Sequence, residues 1–238
     1  MRRVAEQALT GREGRKFWTR IHAPKRGPEN RSWRCRVELE GWRYVPRHGE
    51  GETPLQALSL SLSVLAIVLH SARAYRGAVF ELDGATDGGL GIPAPSLYLD
   101  QAPYPFSRSR VRGQARFAVV NDMGWDARLL AEETYAVAGS RRRLRARIYA
   151  PRLEADGRTW SCAVSTTAPL GMRGEGLGQT TLQALVAGLA LLSHHLYGSS
   201  LYKAGRLGWP AEGRDGRRGD DLLLPAVTEV LDVAPYPF

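Results

Sequence analysis

The chain of 238 residues repeats itself, and that constrains its fold more than any other feature. Thr53-Pro54-Leu55-Gln56-Ala57-Leu58 returns as Thr180-Thr181-Leu182-Gln183-Ala184-Leu185, 127 residues later. The same spacing joins Arg20-Ile21-His22-Ala23-Pro24 to Arg147-Ile148-Tyr149-Ala150-Pro151, Trp33-Arg34-Cys35 to Trp160-Ser161-Cys162, and Tyr75 to Tyr202. A gap-free match of this length predicts one supersecondary unit written twice. Later the register changes: Gly91-Ile92-Pro93 meets Gly208-Trp209-Pro210, and Ala102-Pro103-Tyr104-Pro105-Phe106 meets Ala234-Pro235-Tyr236-Pro237-Phe238. Such shifts belong in surface loops. The boundary therefore falls after Phe106. Residues 1–106 form a first α+β repeat, and 107–238 form a basic linker (Ser107 to Gln114) and a second repeat.

Within each unit the hydrophobic period changes from two to about 3.6, which predicts strands followed by a helix. Lys16 to Ala23 and Ser32 to Glu40 alternate. Phe17, Thr19, Ile21, Trp33, Cys35, Val37 and Leu39 point inward. In the second unit Leu144, Ala146, Ile148, Trp160, Cys162 and Val164 do so. Val4 to Leu9 reads as a first strand, Trp42 to Val45 as a short further one, and Pro46 to Glu52 as a loop. Ala78 to Leu82 and Leu97 to Leu99 are candidate edge strands, Gly205 to Asp221 an exposed loop, and Leu222 to Val233 a return to structure.

The helix start is legible. Thr53 suits the N-cap, Pro54 the first helical position, and Gln56 completes a capping box, repeated by Thr180 and Gln183. Leu55, Leu58, Leu62, Leu65 and Leu69 then form one stripe, matched by Leu182, Leu185, Leu189, Leu192 and Leu196. Leu60, Val64, Ile67 and Val68 need a second burial surface. The expectation is a pseudo-two-fold packing of the units, helix against helix, with Ala187 and Gly188 permitting close approach. Thr53 to Ala72 carries no charge, but its Ser, Gln and His content favours a buried helix over a membrane span.

The net charge of +9 favours acidic partners. Both units carry it: 15 basic against 11 acidic residues in the first, 18 against 13 in the second. An Arg-, Ala- and Gly-rich composition is also what a GC-rich genome produces. No apolar leader follows Met1, so a cytoplasmic location is expected. Cys35 and Cys162 read as small buried hydrophobes. His194 and His195 are adjacent on a helix and lack the spacing of a helical metal pair. No phosphate loop, nucleophile elbow, zinc motif or paired-carboxylate motif occurs. No metal, cofactor or enzymatic activity is expected.

One candidate site remains: the outer face of the sheets. It carries Lys16, Trp18, Arg20, His22, Arg34 and Arg36 in the first unit and Arg143, Arg145, Arg147 and Tyr149 in the second. Cations beside aromatics suit a protein interface anchored by Trp, Tyr and Arg. They also suit a single-stranded nucleic acid, or a solvated face partly neutralised by Glu38 and its neighbours. An acidic protein partner is the first expectation and nucleic acid the second.

The R-I-x-A-P strand, the W-x-C strand and the T-x-L-Q-A-L helix start together resemble an uncharacterised bacterial family of small α+β domains. The resemblance implies a fold and no activity. Small bacterial α+β proteins of this kind include immunity proteins that neutralise toxins, an analogy at the level of fold alone.

Overall fold

A computed structural model describes residues 2–11, 14–28, 31–41, 47–71, 80–82, 116–118 and 127–208. Two antiparallel sheets dominate. The first contains β1 (Arg3–Gly11), β2 (Lys16–His22), β3 (Lys25–Arg26), β4 (Trp33–Glu40), β5 (Arg47–Gly51) and β6 (Phe80–Leu82). The second contains β7 (Arg116–Ala118), β8 (Leu129–Val137), β9 (Arg143–Tyr149), β10 (Arg152–Leu153), β11 (Trp160–Thr166), β12 (Arg173–Gly178) and β13 (Leu207–Gly208). The helices are α1 (Pro54–Ser71), α2 (Thr181–Gly198) and the single turn α3 (Ser200–Lys203).

The first sheet runs β6-β1-β2-β4, with β3 and β5 both on β4; the second runs β13-β8-β9-β11-β12-β7, with β10 on β11. The expected inward positions are buried, except that Trp33 and Trp160 are only half-buried. Ile21, Cys35, Val37, Leu144, Ala146, Ile148, Cys162 and Val164 are fully enclosed, as are both leucine stripes. The caps also match expectation. Thr53 Oγ1 accepts from Gln56 N at 3.2 Å, and Thr180 Oγ1 from Gln183 N at 3.1 Å. The two glutamines reach back one residue further than the cap, accepting from Glu52 N (2.9 Å) and Gln179 N (2.8 Å).

Three expectations need correction. The stretch before α1 is not a loop: Arg47–Gly51 is a strand paired with β4. Its Gly-rich sequence hides a packing device. A Cβ on Gly49 would strike the backbone of Ser61, and one on Gly51 would meet Gln56 Cβ at 2.5 Å. Gly176 and Gly178 hold the corresponding places on β12, against Gly188 and Ala184. Bare strand backbone thus lets each helix lie directly on its sheet.

The second correction concerns the halves. They do not meet mainly helix on helix. Helix α1 packs on β4 and β5 and also reaches β8 of the other sheet, while α2 packs on β11 and β12 and also reaches β1. Gly188 lies against Cys162 and Gly176 of its own sheet rather than opening a helix–helix contact. One hydrophobic cluster therefore runs from Val4 to Leu207 through both halves. Third, strand structure occurs within the expected loop from Gly205 and also at 116–118, where no element was expected. Arg116–Ala118 pairs with β12, and Leu207–Gly208 pairs with β8. The expected elements at Trp42 to Val45, Leu97 to Leu99 and Leu222 to Val233, the 107–114 linker, and both Pro-Tyr-Pro-Phe segments lie outside the described residues.

Candidate functional site

Alternation places the candidate residues on the outer faces, and cross-strand register decides what each one meets. On the first sheet Arg20 stands between Glu6 of β1 and Glu38 of β4. Its Nε lies 3.4 Å from Glu6 Oε2, and its Nη1 donates to the Glu40 carboxylate. Arg34 pairs with Glu50 at 2.8 Å and Arg36 with Glu38 at 2.7 Å. Lys16 donates to Thr10 Oγ1 at 3.0 Å. His22 is buried, with Nε2 3.1 Å from Glu38 Oε2.

These contacts set the local charge. Burial pushes the Glu38 carboxyl up, but His22, Arg36 and Arg20 together hold it below the usual range. His48, opposite Arg36, is pushed down by burial and then by Arg34 and Arg36. The face is a mosaic of alternating signs rather than a basic plate.

Trp18 is the exception in kind. It remains 37% exposed, with the Arg20 guanidinium 5.9 Å from its ring centroid. Its strand neighbours are Ala8 and Glu40. A large aromatic stands in the open because the flanking side chains are either small or drawn into ion pairs.

The second sheet differs. Arg147 pairs with Glu132 at 2.5 Å, and that carboxylate raises its pKa above the usual arginine value. Tyr149 was expected on the exposed face; it points that way but is buried against Ala163 and Ala127, with its hydroxyl 3.5 Å from Ser165 Oγ. Ser161, Ser165 and Glu175 are buried on the same side. Glu175 is pushed up by burial and is held by Arg152 at 2.9 Å, which also lies 3.2 Å from Glu154. Arg143 and Arg145 stay exposed, and among the described residues neither guanidinium has an acceptor.

Neutralisation by Glu38 and its neighbour Glu40 follows the expectation, but the sequence did not point to Glu6, Glu50 and Glu132, which pair with Arg20, Arg34 and Arg147. The available signal was cross-strand register, and register is fixed only once turn lengths are known. The cysteines are free and buried: Cys35 Sγ donates to the His22 carbonyl at 3.0 Å, Cys162 Sγ to that of Tyr149 at 3.2 Å. Burial pushes the Cys35 thiol up to about 12 and raises that of Cys162 further. Among the described residues no group of His, Cys, Asp or Glu is arranged to hold a metal, and no helix is long and apolar enough to cross a membrane.

Residues 131–219 match the model of a domain of unknown function (DUF6968). No curated protein and no solved structure matches the chain.

Proposed function

We propose that the chain is a non-enzymatic binding protein that engages an acidic protein partner through the outer face of its first sheet, with Trp18 and Arg20 at the centre. One observation carries the reading: an exposed tryptophan beside a guanidinium that two carboxylates already hold in place. Trp and Arg are the residues that most often dominate interface energetics. Arg20 loses little further freedom on docking, which lowers the cost of association. The net charge of +9 steers an acidic partner towards the molecule. The charged groups of this face are engaged in ion pairs, not grouped as acid, base and nucleophile.

The same reading takes the chain as a cytoplasmic bacterial protein built by tandem duplication. The constant spacing of 127 residues and the corresponding strand orders support duplication. The two free, buried cysteines suit a reducing compartment. A subunit of a complex or an immunity-type neutraliser of a toxin fits such a face. The test is affinity capture from source cells with the wild-type chain and with Trp18→Ala, followed by affinities measured on the purified partner.

A further inference from the structure

We propose that the β8–β9 hairpin docks the phosphate backbone of a nucleic acid through Arg141, Arg142, Arg143 and Arg145. The sequence here is Ser140-Arg141-Arg142-Arg143-Leu144-Arg145, and no Asp or Glu occurs between Glu133 and Glu154. All four arginines are exposed, while Leu144 between them is fully buried. Among the described residues none of the four guanidinium groups meets a carboxylate or any other acceptor. Arg20, Arg34, Arg36, Arg147 and Arg152, by contrast, are all paired with glutamates.

The support under these arginines is well defined. Arg143 and Arg145 leave the same face of β9, opposite Ala136 and Thr134, about 6.6 Å apart along the strand. The turn closes with Gly139 at φ 74°, where glycine is favoured, and with Ser140 N donating to Val137 O at 3.0 Å. Ser140 Oγ accepts from Arg142 N at 3.0 Å. Arg206, just before β13, clamps the turn. Its carbonyl accepts from Ala138 N, and its Nε and Nη2 donate to Ala138 O at 3.3 and 3.2 Å.

Four adjacent uncompensated cations repel one another, and a polyanion relieves that repulsion while releasing its own counterions. The guanidinium fork suits phosphate oxygens. A protein partner fits less well. Interface centres need apolar or aromatic anchors, and among the described residues the exposed large hydrophobics (Trp18, Leu60, Ile67, Leu129 and Leu153) all lie away from the arginine-bearing end of this hairpin, Leu129 standing at the opposite end beside Tyr149. Among the described residues, the corresponding β1–β2 hairpin differs. Arg15 donates to the Gly41 carbonyl, and Lys16 is bonded to Thr10. These residues are separate from Trp18 and Arg20, so either proposal can fail without the other.

The test is fluorescence anisotropy of labelled single-stranded and duplex oligonucleotides across a salt series, with poly-glutamate as competitor. Affinity is expected to fall linearly in log–log terms with a slope of roughly 3 to 4, as four phosphate contacts require. Arg143→Gln with Arg145→Gln is expected to lower that slope by about 1.5 to 2. Substituting all four arginines removes binding while the melting temperature stays unchanged. Arg128→Gln with Arg158→Gln, an equal loss of charge at exposed positions elsewhere, leaves the slope as it was. Absence of binding at low salt, or a slope indifferent to the hairpin arginines, overturns the proposal. So does poly-glutamate competing as well as nucleic acid, which would assign the hairpin to an acidic protein.

Discussion

Thr53 caps the first long helix, and its hydroxyl donates to the buried carboxyl of Glu133 on the opposite sheet. The corresponding contact elsewhere joins Thr180 Oγ1 to Gln7 Oε1 at 3.2 Å. Each helix start is thus fastened to the other half by its own cap residue, once through an amide and once through an acid.

That asymmetry predicts a pH response. Burial raises Glu133 to about 6, against the opposing pull of Thr53 and the Thr134 N–H, with Glu52 and Glu132 adding repulsion. A carboxyl raised above its unfolded value destabilises the fold when ionised. Stability should therefore increase as pH falls from above 6 towards 4.5. Glu133→Gln, which copies Gln7, should be more stable than wild type at neutral pH by on the order of 1–2 kcal/mol. The gain should vanish near pH 4. Chemical denaturation at several pH values checks this, and an unchanged midpoint at neutral pH would contradict it.

Thr181 makes a second bridge between the halves. Its Oγ1 accepts from Glu6 N at 2.7 Å and donates to Glu6 O at 2.9 Å. Thr181→Val keeps the shape and strands both backbone groups, so a loss of about 1–3 kcal/mol is expected in urea unfolding. Unfolding should remain a single transition, because one core spans both halves.

Gly176 tests the bare-strand packing. A Cβ there would land on the backbone of Ala187 and Gly188, which no side-chain movement relieves. Gly176→Ala should cost at least about 2–3 kcal/mol. Gly198→Ala, near the end of the same helix with open space around it, should be nearly neutral.

The thiols offer a simple probe of the core. Cys35 and Cys162 are both fully buried. Neither should react with an aromatic disulfide reagent in the native protein, and both should react after denaturation. Rapid labelling of the native chain would contradict the burial described.

Much of the fold was legible because it is local or periodic. Ile21 and Ile148 declare their strands by alternation. Thr53 and Thr180 declare the helix starts by capping chemistry, and the leucine stripes by their spacing. β5 was not legible, because Gly49 and Gly51 carry no side chain that could show a period. Their recurrence as Gly176 and Gly178 at the 127-residue spacing was the available signal. The site divided along the same line. That Arg20 and Arg147 face outward follows from alternation. That Glu6 and Glu132 neutralise them depends on which residues lie opposite across the strands. The burial of Tyr149 depends on tertiary covering, which a strand's own pattern does not contain.

The most direct test of the Trp18 face is the affinity of the captured, purified partner for wild type, for Trp18→Ala and for Arg143→Gln/Arg145→Gln, all shown to be folded. Loss of a central aromatic anchor, typically about 2 kcal/mol or more, corresponds to an affinity at least about 30-fold weaker for Trp18→Ala. The hairpin double variant should bind this partner as wild type does. Equal affinity of wild type and Trp18→Ala would contradict the assignment of this face.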